Sequence, residues 1–314
     1  MSEPSPPDDG VDSEPTRRGK RQRRAAVGGA VGEHDHEHGS LVLVATPIGN
    51  LGDLSPRAAD ELRDADAICC EDSRRTGKLL ELAGIARSSP LLVVNDHTES
   101  SRVGDVLARL ARGERVVVVT DAGTPGISDP GEQLVRAAAA EGHRVEVVPG
   151  PSAAIAALVA SGLPAARFVF EGFLPRKGSG RTARLQELAS EKRTAILYEA
   201  PHRVARTLAD LSEVCGPDRR VAVARELTKL HEEVWRGTLQ RGCEWAAEKE
   251  PKGELVLVLE GAAAPETATD DDVVDALRRA LDRGVSTKDS VTTVARALGV
   301  PKRRVYSLAT ALDR

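Results

Sequence analysis

The sequence predicts two α/β domains followed by a small helical segment. Short, continuously apolar and β-branched runs alternate with helical patterns from Leu41 onward, the texture of strands buried on both faces of a helix-covered parallel sheet. A second set of such runs follows with fewer helices between them, so its sheet is expected to be mixed. The 314 residues leave room for both domains and appendages at roughly 100–200 residues per domain.

Residues 1–39 are rich in Pro, Gly, Asp, Glu and Arg and nearly devoid of large apolar side chains, so ordering them would cost entropy with little burial in return. They read as a disordered tail. Within it, Arg17 to Arg24 holds six basic residues in eight, either an electrostatic arm for RNA or a solvated charge run. His34, His36 and His38 alternate with acids but lack the supporting shell of a metal site, and no metal is expected. The first domain, residues 40–155, takes strands at Leu41–Ala45, Ala65–Cys70, Leu91–Val94, Val116–Val119 and Val145–Val148. Asp129 is expected to cap a helix with Pro130 at its first position and Glu132 closing a capping box.

The second domain, residues 156–262, takes strands at Phe168–Phe173, Ala195–Tyr198, Val221–Ala224, Glu233–Leu239 and Leu255–Leu259. Helices fall near Arg181–Glu191 and Arg203–Val214, and none is expected among the last three strands. Residues 270–314 are helical throughout, with Asp270 and Ser286 as cap candidates and Gly299-Val300-Pro301 as a turn. The final pair, Lys288–Leu298 and Lys302–Leu312, has helix-turn-helix spacing, which suits either nucleic-acid docking or plain packing.

Composition narrows the function. Aromatic residues are 2% of the chain, too few for stacking platforms to be the main recognition device. The 44 basic and 48 acidic residues nearly balance, which disfavours a wholly nucleic-acid-coated surface but permits a local basic patch. Four cysteines form neither a disulfide framework nor a C-x-x-C site, which fits a reducing, cytoplasmic setting. No apolar run approaches the ~18 residues of a membrane span, and no secretory h-region opens the chain, so a soluble protein without membrane partners is expected.

Chemistry in open α/β sheets gathers beyond the carboxyl ends of the strands. Three loops there carry the glycine and proline of a ligand-gripping backbone: Thr46-Pro47-Ile48-Gly49-Asn50-Leu51-Gly52-Asp53, the stretch from Asp121 to Gly131, and Pro149-Gly150-Pro151-Ser152-Ala153. None is G-x-G-x-x-G or G-x-x-x-x-G-K-[ST], and by spacing alone tight turns explain them as well as a cofactor site does.

The motifs TPIGNLGD (46–53), EDSRRTGKLL (71–80), TDAGTPGISDPG (120–131), VPGPSA (148–153), YEAPHR (198–203), ARELTK (224–229) and KGELVLV (252–258) closely resemble those of the bacterial ribosomal RNA small subunit methyltransferase I family, in the tetrapyrrole methylase superfamily. The resemblance runs from about Leu41 to the C-terminus and does not include the tail. It implies S-adenosylmethionine-dependent methylation of the ribose 2'-oxygen of cytidine 1402 in 16S rRNA of the small ribosomal subunit. It also implies a homodimer, with the cofactor folded into a cleft between the two α/β domains.

Carried onto this chain, the resemblance assigns cofactor contacts to Pro47, Ile48 and Gly49, to Asp121, Gly123, Thr124, Ile127 and Ser128, to Ser152 and Ala153, and to Leu227 and Gly253. Gly123-Thr124-Pro125 stands where tetrapyrrole-modifying relatives carry Gly-Asp-Pro, which speaks against a porphyrinoid substrate and leaves Asp121 or Asp129 as the acid near the cofactor. Methyl transfer from a sulfonium needs alignment and no metal, while a ribose hydroxyl, a weak acid, gains from a nearby base or cation. The catalytic candidates are foremost Glu71, Asp72, Arg225 and Glu226, which follow strands, and after them Arg74, Glu199, His202, Arg203 and Lys229. Each polar pair also suits a structural salt bridge. RNA is expected at Arg176, Lys177, Arg181 and Arg184 after a strand and at Lys302, Arg303 and Arg304, where a helix begins. Two rivals stay open: a tetrapyrrole carbon methyltransferase and a non-catalytic rRNA-binding assembly factor.

Overall fold

The structure is a computed structural model and describes residues 39–95, 97–263 and 268–312. The expected tail and its histidine cluster lie outside the described residues, apart from Gly39, whose N–H donates to Leu110 O. Five strands, β1 (Ser40–Val44), β2 (Ala67–Cys70), β3 (Leu91–Val93), β4 (Arg115–Val118) and β5 (Arg144–Val148), form a parallel sheet in the order β3-β2-β4-β1-β5. Helices α1 (Pro56–Asp64), α2 (Ser73–Leu82), α3 (Glu99–Ala111) and α4 (Glu132–Ala140) connect them. Alternate side chains of one strand enter different cores: Val42 and Cys70 meet Leu62 and Leu80, while Leu41 and Cys69 meet Leu110 and Leu134. Burial on both faces is the reason these strands read as unbroken apolar runs.

The connection leaving β1 runs toward β2, and the one leaving β4 runs the other way to β5. A crevice therefore opens at the carboxyl ends of β1 and β4, the topological switch point.

The second domain adds α5 (Ala153–Ser161), β6 (Phe168–Phe173), α6 (Ser179–Ser190), β7 (Thr194–Glu199), α7 (Val204–Cys215), β8 (Arg220–Arg225), β9 (Glu233–Thr238), α8 (Leu239–Lys249) and β10 (Leu255–Leu259). Its sheet runs β6-β7-β10-β8-β9; β6 and β7 are parallel and the other pairs antiparallel, the mixed sheet expected from the sequence. Helix α5 packs Ala154, Ala157 and Leu158 on Ile196, Ala222 and Val258 of this sheet, so residue 155 falls within an element of the second core. Helices α6, α7 and α8 cover the opposite face around Leu188, Leu208 and Trp245.

Three expectations about local structure are corrected. Helix α8 stands between β9 and β10, where none was expected; Gly242 weakens its helical pattern, and a Cβ there would lie 3.4 Å from Trp235 and 3.5 Å from Leu208. Asp129 does not cap α4. That helix begins after Gly131, at φ 127°, and its N–H groups are met by the buried carboxylate of Glu99 on α3. In the third unit, made of α9 (Asp270–Asp282), α10 (Thr287–Ala297) and α11 (Lys302–Leu312), Thr269 rather than Asp270 caps α9, in a reciprocal capping box with Asp272. Ser286 caps α10 as expected. These helices enclose a core of their own around Val273, Leu277, Val294 and Val305.

Candidate functional site

The three strand-end loops are tied together by backbone. Thr46 and Gly123 exchange hydrogen bonds, Thr46 N–H to Gly123 O at 2.9 Å and Gly123 N–H to Thr46 O at 3.1 Å. The Thr124 hydroxyl donates to Pro151 O at 3.3 Å, which fastens the second loop to the third. Gly123 adopts φ 84°, a conformation that an L side chain adopts only at a cost. The far end of the second loop is held by Glu99, whose Oε1 accepts from Gly131, Gln133 and Leu134 at 3.0, 2.8 and 3.3 Å.

The second domain closes over these loops at two places where a side chain would not fit. A Cβ on Gly49 would lie 2.9 Å from Thr228 Oγ1 and 3.1 Å from Leu227 O, and one on Gly172 would lie 2.9 Å from Ser128 Oγ. Ser128, Glu226 and Thr228 all have positive φ, 60°, 52° and 66°. Left-handed non-glycine residues of this kind persist only where surrounding contacts over-determine them, and here they cluster at the meeting of the domains.

Between the domains lies a cavity of about 390 Å³, within the usual range for a small-molecule site. Of the expected cofactor residues, Ile48, Asp121, Gly123, Thr124, Ile127, Ser128, Ser152, Ala153 and Gly253 line it. Pro47, Gly49 and Leu227 do not; Gly49 and Leu227 instead meet each other at the domain contact. Of the foremost catalytic candidates, Glu71 lines the cavity and its Oε2 accepts from Asp121 N–H at 3.5 Å. Asp72 faces away as the cap of α2, accepting from Arg74 N–H at 2.8 Å, and the Arg74 guanidinium holds its carboxyl down at about 2.

Arg225 is paired with Glu233 across β8 and β9 at 3.2 Å. Glu226 accepts from Lys229 Nζ at 2.9 Å and Glu254 N–H at 3.0 Å, beneath Gly253 at φ 86°. Both residues brace the cavity wall without lining the cavity. Sequence reasoning passed over Arg75, Phe173 and Tyr198, which line it. Arg75 sits one helical position past a pair of candidates and had no signal of its own, while the two aromatics read as ordinary strand residues.

The charge of the cavity is lopsided. Glu71, Asp121, Asp129, Glu199 and Glu254 line it, against Arg75. Asp121 pairs with Arg75 at 3.1 Å and accepts from Asp72 N–H at 3.2 Å, yet partial burial outweighs the nearby guanidinium and raises its pKa from the ordinary Asp value. Glu199 is buried, its Oε1 paired with Arg203 at 3.1 Å and its Oε2 accepting from Thr207 Oγ1 at 2.5 Å.

The basic residues expected to meet RNA divide. Arg181 is withdrawn from that group, because its side chain is buried and committed to Asp210 at 2.7 Å, Thr207 at 3.0 Å and Pro175 O at 3.1 Å. Arg184 pairs with Glu171 and Glu187, and Arg304 pairs with Asp270 at the start of α9. Arg176, Lys177, Lys302 and Arg303 are exposed and form no ion pair among the described residues.

Glycine-pinned loops at a switch point, a second mixed sheet closed over them and an acid-lined cavity between define an α/β methyltransferase. Residues 40–241 match the model of the tetrapyrrole (corrin/porphyrin) methylases and residues 267–313 that of the RsmI C-terminal HTH domain. The chain belongs to the tetrapyrrole methylase family and, within it, to the ribosomal RNA small subunit methyltransferase I group. It is 46% identical over 277 residues to the protein of that name from Synechocystis, covering 88% of this chain and 99% of the relative. The Escherichia coli O157:H7 protein of the same name is 42% identical over 279 residues, covering 88% and 96%. Among solved structures, the methyltransferase CobJ superposes with a TM-score of 0.54 at 23% identity, covering 73% of this chain and 97% of its own. Diphthine synthase superposes with a TM-score of 0.55 at 16% identity, covering 70% and 89%. These two share the fold.

The methyl donor is S-adenosylmethionine. The cavity fits such a molecule in its chemistry: carboxylates suit a sulfonium cation and an ammonium group, and Ile48, Ile127, Ala153 and Leu255 supply apolar wall for the rest. At φ 84°, Gly123 carries its loop past Ile48 with no side chain intervening.

Proposed function

We propose that the chain methylates the ribose 2'-oxygen of cytidine 1402 in 16S rRNA of the small ribosomal subunit, acting in the cytoplasm as a homodimer. The observation that carries this reading is the acid-lined cavity between two domains in a chain that is 42–46% identical over 88% of its length to relatives named for small-subunit rRNA methylation. S-adenosylmethionine, when bound, supplies an electrophilic methyl group. The protein's part is to align and desolvate. Backbone around Gly123, Ser152 and Gly253 grips the donor, Asp121 and Glu71 balance its positive charge, and the domain contacts at Gly49 and Gly172 keep the walls rigid, so that the acceptor oxygen meets the methyl in line.

Among the carboxylates on the cavity wall, Glu71 takes the role of accepting the ribose proton. Arg225 and Glu226 act as positioning residues, bracing the β8–β9 edge and the Gly253 loop. Arg176, Lys177, Lys302 and Arg303, exposed and without an ion pair among the described residues, supply the cations that phosphates require. Exposed Val147 on β5, at the edge of the first sheet, and exposed Ile155 and Val159 on α5 support a homodimer interface.

The test is transfer of a labelled methyl group from S-adenosylmethionine to small ribosomal subunits, with light scattering of the same preparation. Label in 16S rRNA and a dimeric mass are expected. An inactive, cofactor-saturated protein would refute the RNA substrate, and an active monomer would refute the dimer.

A further inference from the structure

Strand β6 ends at the cavity on Phe173, a ring left 53% exposed. The chain has only three Phe, two Tyr and two Trp, yet three of these rings gather here. Phe173 meets Tyr198 edge-on at 5.6 Å between centroids, and Tyr198 meets Phe170 edge-on at 5.0 Å. A half-exposed phenyl contributes less to folding than a buried one, and its mount is unusually firm. The next two carbonyls are each held by an interior guanidinium: Leu174 O accepts from Arg203 Nη2 at 2.7 Å, and Pro175 O accepts from Arg181 Nη1 at 3.1 Å. Arg203 is itself anchored on buried Glu199, and Arg181 on Asp210 and Thr207. Directly after this braced turn come the exposed cations Arg176 and Lys177, which form no ion pair among the described residues.

The 2'-hydroxyl is displayed on the outside of a stacked helix, but an extended stack is too bulky to follow it into an interdomain cavity, so the acceptor nucleotide leaves its stack and places its base elsewhere. We infer that Phe173 is the platform on which the base of the acceptor nucleotide stacks, with Arg176 and Lys177 holding the flanking phosphates. This deepens the proposed function and rests on RNA being the substrate. The inference also explains the burial of Arg181: it aims the platform and its cations instead of touching RNA. Because every base presents a π-face, this contact holds the nucleotide without choosing its identity.

The experiment compares Phe173→Ala, Phe173→Leu and Phe173→Tyr in the full-length protein. It measures kcat and KM for small subunits, affinity for S-adenosylmethionine by calorimetry, and mass by light scattering. Base–aromatic stacking sets the expected loss in kcat/KM at roughly ten- to hundredfold for Ala and Leu. Cofactor affinity and mass stay unchanged, and Tyr recovers activity to within about twofold. Full activity in Phe173→Leu would overturn the inference, because apolar bulk alone would then suffice. A parallel loss of cofactor affinity would overturn it by giving the ring to the cofactor, and a change of mass would do so by giving it to a partner subunit. Should Phe173→Ala fail to fold, Leu against Tyr still decides. Failure of the unaltered protein to label RNA would refute the underlying substrate reading instead, so the two failures are distinguishable.

Discussion

Glu99 stands at the N-termini of two helices at once, in the first turn of its own α3 and against the start of α4. Only 5% exposed, it accepts three backbone N–H groups through Oε1, and those of Gly131 and Leu134 are buried along with it. Replacing it with Ala removes three hydrogen bonds, all to one oxygen, and leaves the first turn of α4 without a cap. At about 1 kcal/mol net for each bond, the loss is about 3 kcal/mol. For a chain of 314 residues a loss of that order lowers Tm by roughly 4–5 °C. The functional effect follows from position. Gly131 ends the loop that begins at Asp121, so the cofactor loop loses its far anchor and affinity for S-adenosylmethionine should fall along with Tm. Calorimetric unfolding and titration of Glu99→Ala measure both, and Glu99→Gln, which keeps an acceptor oxygen, should lie between. A Tm within 1 °C of the parent would refute the capping role, since that corresponds to less than about 1 kcal/mol.

Asp121 gives a pH dependence whose sign follows from its burial. Its raised pKa means that folding disfavours the charged form, so the free protein gains stability as pH falls through that value. On the proposed reading cofactor binding uses the carboxylate, so it should weaken over the same interval, at higher pH than for an exposed Asp near 3.9. Affinity measured from pH 8 to pH 4 should show this decline, and Asp121→Asn, weaker throughout, should not. Gly49→Val forces a branched side chain against Thr228 and Leu227 O, so methyl transfer should drop at least about tenfold as the domain contact is wedged apart; unchanged kcat/KM would show that the contact is dispensable. Cys69 is buried, and burial first, then the neighbouring Cys70, pushes its thiol up to about 12. It should resist alkylation of the native protein at pH 8 while the partly exposed Cys243 reacts, as peptide mapping would read out.

Parallel strands such as Leu41–Val44 were legible because burial on both faces leaves an unbroken apolar run, and the strand-end loops because glycine and proline mark them. What escaped depends on partners distant in sequence. The cap of α4 comes from Glu99, and nothing near Asp129 announces it. Arg181 belongs to an evident basic segment, but Asp210 and Thr207, a helix away, decide that it faces inward. Arg225 and Glu226 follow a strand toward the crevice, as Glu71 does, yet their ion pairs turn them into the wall. Thr269 is followed by three successive aspartates that could equally cap α9, and only backbone geometry chooses among them. Phe173 reads as the last core residue of a strand; that it projects into the cavity is a fact of the turn that follows.

The most direct test is mass-spectrometric mapping of ribose methylation across 16S rRNA from cells with and without this chain, completed by treating the unmodified small subunits with purified protein and S-adenosylmethionine. The expected result is loss of a single 2'-O-methyl group at cytidine 1402 without the protein and its return on treatment, abolished by Gly123→Val. A methylation map identical with and without the protein, or a methyl group restored at another atom, would contradict the proposed reaction.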